Sequence, residues 1–209
     1  MIPMLIGTAG RPLHAVFTAA AGPRQRRAVV FCPPLNDEYT HTYRTGRLLA
    51  QRVAAHGAEA LRFDYFGTGE SPGEDSEFSV SGAVEDTLVA VDEVRDLAKV
   101  CLVTLVGLRA GALVAALAAP RSKAVDRLVL WDPVVDDYGF TGLPAHTLML
   151  VSADTIEHRQ LRAHLVSLEN AGGLEVEVVE CALTWVAVGE DGIGPAPVEV
   201  LTRIAGWDP

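Results

Sequence analysis

The chain has 209 residues, 49% of them hydrophobic and 21% charged, and a formal net charge of −10. That length suits one domain over residues 1–209 with a core of its own. The acidic balance argues against general affinity for nucleic acid or an anionic membrane surface. Three cysteines, Cys32, Cys101 and Cys181, are too few and too scattered for a disulfide framework or a zinc site, so a reduced, cytoplasmic setting is expected. The apolar start Met1–Ile6 stops at Gly7 without a basic flank, too short for a membrane span or a signal peptide.

Residues 3–20 read as two short strands around a turn at Gly7–Pro12, followed by a polar loop at Gly22–Arg27. Ala28–Cys32 is a continuous apolar strand that ends at Pro33-Pro34, because proline cannot continue a ladder. Leu35–Tyr39 is then loop, and a helix is expected over 41–56 with Leu48, Leu49, Val53 and Ala54 on its apolar side and Gly57 as its stop. Ala58–Phe63 is the next strand, and the Gly-, Ser- and acid-rich segment to Glu77 is loop.

A helix over 79–98 follows from Val80, Val84, Leu88, Val91 and Val94, spaced three or four apart. Its acids Glu85, Asp86, Asp92, Glu93 and Asp96 read as a solvated face and not as a metal site. A strand over 101–106 runs into Gly107-Leu108-Arg109-Ala110-Gly111 and then a helix of small apolar residues to Ala119, ended by Pro120. Val125–Trp131 and Thr147–Val151 are further strands, with a helix over 156–171, a strand from Leu174 to Cys181, an irregular stretch 182–197 and a last short helix carrying Val198, Leu201 and Ile204. Alternating strands and helices imply a three-layer α/β fold with a mostly parallel sheet, whose carboxyl edge is where ligands bind.

Three segments carry a family resemblance: Phe31-Cys32-Pro33-Pro34-Leu35-Asn36-Asp37-Glu38, Phe63-Asp64-Tyr65-Phe66-Gly67-Thr68-Gly69-Glu70-Ser71, and the Gly107–Gly111 turn. With Trp131-Asp132-Pro133-Val134-Val135-Asp136, they resemble the oxyanion loop, the D-x-x-G-x-G-x-S stretch and the nucleophile elbow of the α/β-hydrolase superfamily. The chain is similar in particular to a hydrolase-like subgroup, including proteins named for exosortase systems, that has Gly-Leu-Arg-x-Gly-Ala where Gly-x-Ser-x-Gly stands elsewhere. Only Asp132–His146 separates two strands where the superfamily commonly inserts a cap, so a minimal cap or none is expected.

The resemblance implies a triad in the chain order nucleophile, acid, histidine. The nucleophile position is Arg109, whose guanidinium stays protonated and cannot attack a carbonyl. Asp154 matches the acid position, but the last histidine is His164 and none lies in 181–197. Ordinary Ser-His-Asp hydrolysis is therefore not expected.

What remains is an oxyanion-type site: the N–H of Ala110 and one from Leu35 or Asn36, at a helix start that favours an anion, beside a guanidinium suited to a carboxylate or phosphate. Arg109 closes an internal salt bridge with Asp64, Asp132, Glu38 or Asp154, or binds a ligand, or does each in a different state. Glu38, Asp64 and His41 are the candidate proton carriers. Cys32 and Cys181 read as small core residues.

Two readings follow. One is a non-classical biosynthetic enzyme acting on a small-molecule or carrier-bound acyl or anionic substrate, with no metal or cofactor. The other is a non-catalytic subunit docking a protein partner or a second copy over its uncapped face, with aromatic anchors drawn from Trp131, Tyr138, Phe140, Trp185 and Trp207.

Overall fold

The computed structural model describes residues 1–134, 143–151, 174–179 and 196–208. β1 (Ile2–Thr8) and β2 (Arg11–Thr18) form an antiparallel hairpin, and β2 pairs antiparallel with β4 (Glu59–Phe63). β3 (Arg27–Cys32), β4, β5 (Leu102–Leu108), β6 (Val125–Trp131), β7 (His146–Val151) and β8 (Leu174–Val178) run parallel. Together they make an eight-stranded sheet in the order β1-β2-β4-β3-β5-β6-β7-β8.

Helices α1 (Asp37–Ala55) and α4 (Val198–Ala205) pack on one face, and α2 (Val80–Ala98) and α3 (Ala110–Ala118) on the other. The result is the expected three-layer α/β arrangement, with an apolar cluster on each side of the sheet. Residues 132–145 join β6 to β7, too short a connection for a separate lid.

Several expected boundaries move for identifiable reasons. α1 starts at Asp37 instead of 41, directly after Asn36, so Asp37 and Glu38 lie in its first turn, where acids complement the helix dipole. β5 continues past 106, because Gly107 and Leu108 still pair with Leu130 and Trp131 of β6. Asp86 departs from the solvated face expected of α2. It is 2% exposed, accepts two hydrogen bonds from Arg11 at 2.8 and 3.1 Å, and accepts the Phe66 N–H at 2.9 Å. A buried carboxylate is tolerated when so fully paired, and this one fastens the β2 start and the loop after β4 to α2. The helix expected over 156–171 and the irregular stretch 182–197 lie outside the described residues, apart from Ala196 and Pro197.

The β5–α3 turn is packed backbone against backbone. A Cβ on Gly107 would sit 2.4 Å from the Gly111 carbonyl oxygen and 2.5 Å from the Ala112 Cα. A Cβ on Gly111 would sit 2.3 Å from the carbonyl oxygens of both Cys32 and Pro33. Both obstacles are backbone, so neither can turn aside as a flexible side chain could. The small residues of α3, with Ala112, Ala115 and Ala118 each fully enclosed, let the helix lie this close to the sheet. Gly111→Ala is expected to cost about 1–3 kcal/mol or more through overpacking, read as a lowered denaturant midpoint with an unchanged slope.

Candidate functional site

The carboxyl ends of β3, β5 and β6 converge, and each leads into a non-glycine residue with positive φ: Asn36 (55°), Arg109 (56°) and Asp132 (43°). Such backbone costs about 1–3 kcal/mol per residue and persists only where surrounding contacts hold it. Here they do. The Arg109 N–H donates to the Trp131 carbonyl at 3.0 Å, the Ala112 N–H to the Arg109 carbonyl at 3.0 Å, and the Asp132 N–H to the Leu150 carbonyl at 2.8 Å. The turn at Arg109 (φ 56°, ψ −121°) is thus a sharp strand-to-helix elbow.

Arg109 and Glu38 meet. Nε of Arg109 donates to Glu38 Oε1 at 3.0 Å, and Nη1 donates to the Asp132 backbone carbonyl at 3.3 Å. The two side chains are 13% and 28% exposed, so the guanidinium lies in the crease between strand ends and the carboxylate at its edge. Ala110 opens α3, where first-turn N–H groups have no carbonyl one turn earlier to accept them. Leu35 is half-buried and Asn36 exposed on the facing loop, which Gly111 holds against the start of α3.

Asp64 and His41 are placed differently. Asp64 Oδ1 accepts the Tyr39 hydroxyl at 2.8 Å, and Oδ2 accepts the Glu70 N–H at 3.0 Å and faces His14 Nδ1 at 3.4 Å. Ser71 completes the loop, donating to the Asp64 carbonyl at 2.6 Å and accepting the His14 N–H at 2.8 Å. The D-x-x-G-x-G-x-S stretch is therefore a hydrogen-bonded loop around one carboxylate, and the close approach of Gly69 leaves a Cβ only 2.7 Å from Asp64 Oδ2. His41 lies in the second turn of α1, half-buried, with Nδ1 enclosed and no hydrogen-bond partner among the described residues. Asp154 lies outside the described residues.

Sequence reasoning missed Tyr39 and His14. Tyr39 had one signal, its place just after Asn36-Asp37-Glu38, and His14, in a hairpin strand with no motif, had none.

Electrostatics assign Cys32 a structural place. Burial pushes its thiol up to about 12, outweighing a weak contact from the Thr87 hydroxyl, so no thiolate forms near neutrality. Burial likewise holds Tyr65 and Tyr39 above the ordinary phenol value, with the Asp64 carboxylate adding to the effect on Tyr39. No cluster of three metal-ligating side chains occurs among the described residues, and no described helix is long and apolar enough to cross a membrane.

The model of the family described as serine aminopeptidase, S33, matches residues 23–168. No curated protein matches the sequence. Among solved structures, a serine hydrolase without lid from Xanthomonas campestris superposes with a TM-score of 0.80 at 16% identity, covering 97% of this chain and 91% of that one. A protein of unknown function from Agrobacterium tumefaciens, described as a putative α/β hydrolase, gives 0.78 at 16% identity over 98% and 93%. An esterase from Pyrococcus furiosus gives 0.72 at 13% identity over 98% and 88%. At these identities the likeness is one of fold.

Because folding raises the Cys32 value above the ordinary 9.0, its stabilising contribution is full below pH 9.0 and is lost as pH rises toward about 12. The denaturation midpoint is expected to fall across that window, and Cys32→Ala to flatten the fall. Iodoacetamide at about pH 8 is expected to label exposed Cys101 and spare buried Cys32 until the chain unfolds, as peptide mapping would read.

Proposed function

This chain belongs to the α/β-hydrolase family described as serine aminopeptidase, S33, and we propose that it is a member without serine-type hydrolysis, whose elbow receives an acyl, carboxylate or other anionic group of a small-molecule or carrier-bound compound. One observation carries this reading. The strained elbow already holds a carboxylate, that of Glu38 on Arg109 Nε at 3.0 Å, supplied by the chain itself. An incoming anion exchanges with that carboxylate by a rotamer change of the more exposed partner. Arg109 then grips the ligand, while the Ala110 N–H and one from Leu35 or Asn36 donate to oxygen as in an oxyanion hole.

Released from the guanidinium, Glu38 is the nearest base. Asp64 and His41 are further proton carriers, reached through Tyr39 and along α1. This equipment suits isomerisation, elimination, cyclisation or acyl-group chemistry in a biosynthetic pathway, in the cytoplasm and without a metal or cofactor. Neither carbonyl attack nor a triad is available to it.

The low exposure of Arg109 favours a second reading, in which the ion pair only fastens the strand ends and the protein is a binding or scaffolding subunit that docks a partner over its uncapped face.

Calorimetric titration with butyrate and butyryl-pantetheine separates the two. If the elbow is the site, Arg109→Ala weakens binding by about tenfold or more, and Glu38→Gln tightens it by removing the internal competitor. Binding unchanged in Arg109→Ala, with a lower melting temperature, would sink the ligand reading and leave the scaffold. Arg109→Ser is expected to show no turnover of p-nitrophenyl butyrate, since the sequence places no histidine after the last strand.

A further inference from the structure

A cleft of about 400 Å³ opens between the loop leading into α1 and the loop after β4. Leu35, Asn36, Asp37 and Tyr39 line it from the first loop and Thr68 from the second, with Asp75 and Phe78 beyond. Arg109 does not line it, nor does any other basic side chain among the described residues. Its volume lies within the range of small-molecule sites.

The walls are held in place. Tyr39 is tied to Asp64, Asp64 to the Glu70 N–H, and the neighbouring Phe66 N–H to buried Asp86. The Glu74–Glu77 capping box fixes the turn that carries Asp75 and presents Phe78. Leu35 and Phe78 pack on the core beneath and keep part of their surface for the cleft.

The charged side chains that line the cleft are acids among the described residues. Asp37 and Asp75 are exposed and have no ion-pair partner among the described residues. Exposed Glu70, Glu74 and Glu77 flank Asp75, and no Lys, Arg or His occurs between Phe63 and Arg95. A concave surface of single sign focuses its field and gathers counter-charge. Leu35 and Phe78 offer apolar contact to whatever carries the cation.

We propose that this cleft, which does not use Arg109 although it shares the Leu35–Asn36 loop with the elbow, is a binding site for a small organic cation with an apolar body, an arylalkyl- or alkylammonium. The ammonium sits between Asp37 and Asp75, and the apolar body covers Leu35 and Phe78. Anions of the same shape are turned away by the acids. The site stands independently of any ligand at Arg109, so failure of carboxylate binding there leaves it untouched.

Titrations with 3-phenylpropylammonium, 3-phenylpropanol and 3-phenylpropionate at low salt test it. The ammonium is expected to bind about tenfold tighter than the propionate and to weaken as salt is added. Asp75→Asn, at an exposed position, is expected to lower ammonium affinity several-fold at unchanged melting temperature, and Phe78→Leu to weaken all three probes. Arg109→Ala is expected to leave ammonium binding as it is. Equal affinity for the propionate, wild-type ammonium affinity in the Asp37→Asn, Asp75→Asn double variant, or loss of ammonium binding in Arg109→Ala would each overturn the proposal.

Discussion

The functional edge of this molecule depends on the contact of two stretches of backbone. The start of α3 presses against the loop after β3, so that Gly111 has only carbonyl oxygens where a Cβ would be, and Gly107 has the next turn of the chain in the same position. Everything nearby follows from that approach. α3 must be built of small residues. Residue 109 must take positive φ to turn from β5 into the helix so abruptly. The first N–H groups of α3 are brought beside the loop at Leu35 and Asn36, which is the geometry of an anion-facing turn.

None of this depends on which side chain occupies position 109. A serine there would be neutral and would need no counter-charge. An arginine is a permanent cation in a crease where it is 13% exposed, and a charge in that position requires a counter-charge. Glu38 provides it because α1 begins four residues earlier than periodicity suggests, which brings its first turn to the strand ends.

A second organising group is Asp64. The resemblance placed it in the D-x-x-G-x-G-x-S stretch, it was a candidate proton carrier, and the structure surrounds it with Tyr39, His14 and the Glu70 N–H. That network, with Asp86 behind it, gives the loop after β4 a defined shape and so gives the neighbouring cleft its wall. Much of the fold was legible without coordinates. Val29 to Phe31, Leu105 to Leu108 and Leu128 to Trp131 are runs that only strands covered on both faces bear, and Val84, Val91 and Val94 repeat at helical spacing. The site was legible in part. Arg109, Glu38, Ala110, Leu35 and Asn36 were singled out from motifs, and Glu38 was one of four acids that could have paired with Arg109. Tyr39, Phe78 and Asp75 carried no motif, and Asp86 looked like any other acid on an exposed helix face.

By itself, the sequence determined the class of fold, the glycines of the elbow, the arginine set between them and the lack of any histidine after His164, because periodicity, steric need and residue chemistry are local properties. The tertiary structure decided that Glu38 meets Arg109, that Asp86 is buried and that a cleft opens beside Leu35. Those outcomes depend on which loops the strand order β1-β2-β4-β3-β5 makes neighbours. Ion pairing and cavity shape act through space at a few ångströms, between residues as far apart in sequence as Glu38 and Arg109.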